Sequence, residues 1–198
     1  LGIDTKPLWS SQTMFGFKNE NFKKWMAPWG QEVLVAERFT TKETEDKILI
    51  YAEGDTRYPP SAEMPKSSFF FDTIIRQEPF DEDHLDPAEN LEEFGDIADE
   101  DLRYLASQAA GLADSPFCVT GNLGGTAIGD ISLVTAPMLK KPRGIRDIEE
   151  WYMSTITRQD YLYEVFEKQV DIALRNLEKI HARLRDTIGA LREMTKNH

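Results

Sequence analysis

Cysteine and histidine are scarce in this chain of 198 residues, which holds one cysteine and three histidines. The single cysteine, Cys118, excludes an internal disulfide bond and is compatible with a reducing cytoplasm, where we expect the protein to reside. A lone cysteine in a strand is most often a small buried apolar residue, so we expect Cys118 to be buried. His84 has no second histidine nearby in the sequence, and no metal site is predicted within the chain.

Long apolar runs and an excess of basic residues are also missing. No stretch approaches the roughly 18 apolar residues that a membrane span needs, and no signal peptide is visible. The net charge of −12 repels nucleic-acid phosphate and anionic membranes, so neither is expected as a partner. The basic turn at 140–144 is either an ordinary exposed turn or a local feature that steers an anionic substrate.

What the sequence does contain is a glycine-rich stretch, PFCVTGNLGGTAIGD. The run at 117–120 is short, apolar and partly β-branched, which predicts a buried strand. Gly121, Asn122, Gly124 and Gly125 follow at once, and glycine lets a ligand approach the backbone closely because it has no Cβ. The spacing fits neither common nucleotide-binding motif. The stretch is therefore a candidate binding loop, or a tight strand-to-helix turn without a ligand.

Periodicity and turn residues predict the remaining elements of an α/β fold. We expect a short strand over 1–9, a β-hairpin that pairs 31–39 with 47–52, and helices over 99–111, 145–155 and 160–184. Asp99 and Thr157 are candidate N-caps for the first and last of these helices.

The segment at 78–101 is strongly acidic, with twelve aspartate and glutamate residues. A pair of catalytic carboxylates or a calcium loop could be drawn from it, but the EF-hand spacing is absent. We interpret the segment as a solvated loop with short helical turns.

Four segments carry a combined resemblance: EGDTRYPPSAEMPKSSFFFDTIIRQEP, DEDHLDPAENLEEFG, GNLGGTAIGD and PRGIRDIEEWYMSTITRQDYLYEVFEKQ. Together they resemble the uroporphyrinogen decarboxylase superfamily, and most closely its branch associated with corrinoid-dependent methyl transfer. The resemblance covers about 1–180 and implies a (β/α)8 barrel of the TIM type. Such barrels need around 250 residues, so we expect a fragment with part of the barrel. Residues 1–198 then form one incomplete domain, with a hairpin and acidic-loop insertion at 21–98 and barrel helices and a strand at 99–182.

The resemblance implies a methyltransferase or demethylase as the parent enzyme. Related methyltransferases hold zinc through a His-x-Cys motif and a further Cys, and a protein-bound corrinoid takes part in methyl transfer. This chain has no His-x-Cys motif, so we expect zinc and corrinoid only with the complete protein, and no activity from this chain alone. The positions matching the family's strand end are the expected substrate-binding residues: Gly121, Asn122, Gly124, Gly125 and Asp130. Asp130 either orients a substrate or caps a helix.

Two other functions stay open at this point. A uroporphyrinogen decarboxylase of porphyrin biosynthesis, which is a carboxy-lyase, would carry an arginine-rich motif before Leu1, and the chain contains no match to it. A non-catalytic half-barrel would instead expose sheet edges that pair with another chain. The expected partners are accordingly a small-molecule substrate, a corrinoid protein and, in a homodimer, a second copy.

Overall fold

The computed structural model describes the backbone of residues 5–121 and 130–194, in which the chain forms a mixed α/β structure of two compact units. The strands are β1 (Thr5–Leu8), β2 (Lys23–Met26), β3 (Glu32–Val35), β4 (Thr41–Glu43), β5 (Lys47–Ile50), β6 (Ala62–Pro65), β7 (Asp72–Thr73) and β8 (Cys118–Gly121). The helices are α1 (Asp99–Gly111), α2 (Ile148–Thr157) and α3 (Gln159–Met194).

The first unit, which we call the strand unit, comprises the described residues 5–11, 94–121 and 168–194. Strands β1 and β8 pair in parallel, with Leu8 opposite Gly121 at their carboxyl ends. Helix α1 lies between the two strands in chain order, and the larger part of α3 comes after them. The strand unit therefore has the order strand, helix, strand, helix, with neighbouring parallel strands.

The core of the strand unit joins β1 to both helices. Leu8, Leu105 and Ile180 are buried together, which brings one residue each from β1, α1 and α3 into contact. Val119 of β8 packs against this cluster, while Cys118 is exposed. The expectation of a buried strand with a buried cysteine was wrong, because Val119 is the one β8 side chain that packs on the core and the described part of its sheet has two strands.

Acidic residues stabilise the start of helix α1, and a glycine marks its end. Three acidic residues, Asp99, Glu100 and Asp101, occupy the first turn, where the positive end of the helix dipole stabilises them. The N-cap is Ala98, so the prediction that Asp99 caps the helix was wrong. The predicted end at Gly111 is confirmed.

The segment before α1 is fastened to α3 by polar side chains. The Asp96 carboxylate binds the Arg175 guanidinium at 3.1 Å and the Lys179 ammonium at 3.1 Å. Asn176 accepts a hydrogen bond from the backbone N–H of Ile97 and donates one to the carbonyl of Gly95, each at 2.8 Å. One face of α3 thus fixes the entry into α1.

We expect acid to weaken this attachment. The hydrogen bond from Lys179, followed by that from Arg175, lowers the pKa of Asp96 below its ordinary value of 3.8. Its stabilising contribution is therefore fully present above pH 3.8 and is lost as the pH falls through the lowered folded value. Urea unfolding should show that Asp96→Asn is less stable than wild type at about pH 6, and that this difference shrinks by about pH 3. Asp171→Asn, at an exposed carboxyl on the same helix, is the control and should leave the stability at about pH 6 within roughly 0.5 kcal/mol of wild type. A difference in unfolding free energy between wild type and Asp96→Asn that stays constant with pH would contradict the role of the ion pair.

The second unit, which we call the excursion unit, comprises residues 12–93 and 130–167. It contains the antiparallel pair β2–β3 and an antiparallel sheet in the order β4–β5–β6–β7. Phe17, Ala36, Ile50 and Ala62 form its buried cluster.

The predicted hairpin has different partners. The prediction paired 31–39 with 47–52, but β3 pairs with β2, and β5 pairs with β4 inside the polar stretch between them. A strand at the edge of a sheet needs no apolar alternation, which is why the polar β4 was missed. Thr44 closes the tight turn, because its hydroxyl accepts from the Lys47 N–H at 3.1 Å.

Helix α3 is confirmed but continues to Met194, ten residues past its predicted end at 184, and α2 is shifted from its predicted range. Helix α3 begins one residue before its predicted start at 160, and the predicted apolar stripe buries Tyr161, Val165 and Ala173. Helix α2 begins at Ile148 rather than 145, because the Asp147 carboxylate accepts from the Glu150 N–H at 3.0 Å and caps it. The expectation that Thr157 caps the next helix was wrong, since Thr157 lies inside α2.

The α/β class is confirmed, and none of the sheets formed by the described residues closes into a barrel. No helix within the described ranges is both long enough and apolar enough to cross a membrane.

Candidate functional site

The predicted binding residues lie in two parts of the described chain and in the gap between them. Gly121 ends β8 and is exposed. Asn122, Gly124 and Gly125 lie outside the described residues. Asp130 is exposed, and its carbonyl accepts from the Leu133 N–H at 3.0 Å, which begins a short 3₁₀ turn. The structure thus describes Gly121 as a strand end and Asp130 as the start of a turn.

The carboxyl end of the β1–β8 pair is the candidate site in the strand unit. Leu8 and Gly121 lie opposite each other there, and Trp9 follows Leu8 in the chain. The Trp9 side chain is 64% exposed. Its backbone is fixed on α1, because Gln108 donates to the Trp9 carbonyl at 2.9 Å and accepts from the Trp9 N–H at 3.4 Å.

This strand end presents an exposed indole on a fixed backbone, and the residue before it, Leu8, pairs with Gly121. An exposed aromatic ring on a fixed backbone can stack against a flat unsaturated ligand, and Gly121 adds no side chain of its own. Sequence reasoning missed Trp9 as a functional candidate because it placed Trp9 at the end of the first predicted strand. The available signal was an aromatic residue directly after a strand, at the end where α/β proteins bind ligands.

A network of hydrogen bonds and ion pairs lies in the excursion unit and centres on Arg146. Its guanidinium forms a two-point ion pair with the Glu93 carboxylate, at 2.6 and 3.0 Å, and both side chains are almost fully buried. It also donates to the carbonyls of Glu89 and Arg143, each at 2.6 Å. Arg146 thereby connects 12–93 with 130–167, the two chain segments that make up the unit.

Gln77 and Asn90 reinforce the same connection. The Gln77 side-chain oxygen accepts from the N–H groups of Arg146 and Asp147, at 2.6 and 2.8 Å. Asn90 accepts from the Ile145 N–H and donates to the Ile145 carbonyl, each at 2.8 Å. The loop before α2 is therefore held through its backbone by side chains of the earlier segment.

Arg76 extends this network to the preceding turn. Its guanidinium donates to the carbonyls of Leu139 and Ala136, at 2.7 and 2.8 Å. Burial, followed by the positive charge of Arg146, lowers the pKa of Arg76 to about 10. Arg76 therefore serves here as a donor to backbone carbonyls.

The basic turn is paired with carboxylates of its own unit. Lys140 binds Glu53 at 2.7 Å, and Arg143 binds Glu89 at 3.2 Å and also Glu92. The acidic segment, expected to be solvated, therefore supplies partners to basic residues. Its short helical turns are confirmed at Glu82–His84 and Pro87–Leu91.

We expect the buried Arg146–Glu93 pair to dominate the stability of the excursion unit. Arg146→Met leaves the buried Glu93 carboxylate without its partner and should lower the free energy of unfolding by about 3–5 kcal/mol. The double variant with Glu93→Leu should recover part of this loss, because no buried charge then remains unpaired. Chemical denaturation measures all three proteins. Arg143→Met is the matched control, because Arg143 binds glutamates at the surface and its loss should lower the free energy of unfolding far less. Equal losses for Arg146→Met and Arg143→Met would contradict this assignment.

Gly144 should tolerate no side chain. Its φ is +81°, and an added Cβ would lie 2.3 Å from Asn90 Oδ1. We expect Gly144→Ala to destabilise by roughly 3 kcal/mol or more, since it disturbs the Asn90 hydrogen bonds as well as the backbone. Gly30 is the control, with φ +85° and no atom within 4 Å of an added Cβ. Gly30→Ala should cost about 1 kcal/mol from backbone strain alone. Thermal unfolding of both variants tests this, and equal shifts in midpoint would contradict the proposed overlap.

The described part of the chain contains no cluster of side chains that could form a metal site. No group of three or more His, Cys, Asp or Glu side chains within those residues could hold a metal ion. His84 contacts Asp81 at 2.7 Å, and Cys118 is an exposed thiol on β8. These described residues do not fit a zinc site built from thiolate and imidazole ligands.

No protein family, curated protein or solved structure matches this chain.

Proposed function

We propose that this chain is part of an enzyme of the uroporphyrinogen decarboxylase superfamily, and that the parent protein catalyses corrinoid-dependent methyl transfer. The observation that supports it best is the order of β1, α1, β8 and α3 with β1 and β8 as parallel neighbours. A (β/α)8 barrel is a repetition of this order, and the strand unit would supply its first part.

The course of the chain after each strand supports the same proposal. Residues 12–93 follow the carboxyl end of β1 and precede α1. Residues 130–167 come after β8 and before the larger part of α3, and the two segments form one compact unit. Barrel enzymes build their active sites from the segments that follow the carboxyl ends of their strands. Long insertions at these two positions are therefore what we expect if the inserted segments take part in substrate binding.

The proposed roles follow from this placement. Trp9 would stack against the flat part of a methylated donor or of the corrinoid, and the glycine-rich stretch from Gly121 would admit that ligand close to the backbone. A partner's corrinoid in its reduced Co(I) form would supply the electron pair for the new bond to the methyl carbon. The donor's heteroatom would keep the pair of the broken bond and take up a proton. Because the described residues do not fit a zinc site, no zinc-dependent step is assigned to this chain.

Three arginines of the excursion unit are engaged within the chain rather than in a site for the carboxylates of a porphyrinogen. A decarboxylase pocket must bind several substrate carboxylates, for which arginine is suited. Arg143 and Arg146 instead bind carboxylates of the same chain, and Arg158 binds Glu82 and Glu150.

The proposed function is tested with the product of the complete gene that encodes this sequence. The protein is mixed with reduced cobalamin, which stands in for the partner's corrinoid, and with methanol, methylamines or methoxyarenes in turn. We expect methylcobalamin to form with one donor class, which the absorbance spectrum reports. Uroporphyrinogen is offered in parallel, and release of carbon dioxide from it without any methyl transfer would overturn the proposal.

The role of Trp9 is tested by substitution in the same assay. Trp9→Ala should raise the KM for the donor or for cobalamin about fivefold to tenfold, since a stacking contact contributes about 1 kcal/mol. Phe117→Ala removes an exposed aromatic ring just before β8, at the opposite end of that strand from Gly121, and should leave KM unchanged. Equal behaviour of the two variants would contradict a binding role for Trp9.

A further inference from the structure

The outer face of the β2–β3 hairpin exposes large apolar side chains to solvent. In the strand register Lys24 lies opposite Leu34, and Met26 lies opposite Glu32, so these four residues share one face. Met26 and Leu34 are 59% and 69% exposed. Phe22, just before β2, is 57% exposed. We call these five residues the hairpin face.

The hairpin face differs in charge from the rest of the chain. Residues 21–35 contain two lysines and one glutamate, whereas the whole chain carries a net charge of −12. Two copies that meet through most other surfaces bring negative charges together, which opposes association. Through the hairpin, whose two lysines and one glutamate give a net charge of +1, they meet without bringing an excess of negative charge together. The hairpin face is also rich in Phe, Met and Leu, side chains that gain free energy when they leave water.

The hairpin face carries one positive and one negative charge, so the faces of two copies can complement each other. Lys24 and Glu32 form an exposed ion pair at 2.8 Å on this face. When two copies pack face to face about a two-fold axis, the Lys24 of one copy can approach the Glu32 of the other, and the same contact is repeated on the other side of the axis. The apolar side chains are then buried between the copies.

We propose that the hairpin face is a docking surface for a second copy of this chain and forms a symmetric dimer. This inference is independent of the proposed catalytic function, because it uses no residue of the strand end. At the turn of the hairpin, the exposed Trp29 ring meets the exposed Phe69 ring edge to face, with 5.4 Å between the ring centroids.

Sedimentation equilibrium of the full chain over the micromolar range tests the proposal at low salt. We expect a reversible dimer for the wild type and at least a tenfold higher dissociation constant for Leu34→Asp. Ile156→Asp, at a 78% exposed position on α2, is the matched control and should keep the wild-type constant. A wild type that stays monomeric overturns the proposal, as does an equal effect of the two substitutions. Circular dichroism checks that both variants remain folded, which their exposed positions favour.

Charge reversal separates contacts between copies from contacts within one copy. Lys24→Glu makes the hairpin face acidic, and Glu32→Lys makes it basic, so each variant alone should dimerise at least tenfold more weakly because like charges face each other. An equimolar mixture of the two variants should associate about as well as the wild type, since an acidic face then meets a basic one. The ion pair within each copy remains broken in the mixture. A mixture that associates no better than either variant alone overturns the face-to-face arrangement.

Discussion

The excursion unit depends on one buried ion pair. Arg146 belongs to the second of its two chain segments and Glu93 to the first, and each neutralises the other away from water. An arginine suits this position because its planar guanidinium bonds two carboxylate oxygens and still has donors left for backbone carbonyls. Asn90 and Gln77 then hold the adjoining loop by its backbone. Segments far apart in sequence thereby become one compact body.

This constraint gives a structural meaning to residues that the sequence resemblance singled out. Gln77 lies in RQEP, Glu93 in DPAENLEEFG and Arg146 in PRGIRD, and in the fold Gln77 and Glu93 each bind Arg146. Their role here is to position the segments that follow β1 and β8.

Local signals in the sequence predicted the parts of the fold that depend on local physics. The apolar period predicted α3, and Gly111 predicted the end of α1. Pairing between strands depends on distant residues, so the polar β4 and the partner of β3 were missed. The buried role of Glu93 was missed for the same reason, because its partner Arg146 lies 53 residues away. At the candidate site Gly121 was predicted from its strand, whereas Trp9 required knowledge that its strand lies beside β8.

A crystal structure of the complete gene product tests the central claim most directly, which is that the strand unit is the first part of a (β/α)8 barrel. The account predicts that β1 and β8 are neighbours in a closed sheet of eight parallel strands, with Trp9 and Gly121 at the end that holds the pocket. It also predicts the Arg146–Glu93 pair in the unit built from the two strand-end segments. An open or antiparallel sheet around β1 and β8 would contradict the barrel and, with it, the proposed family.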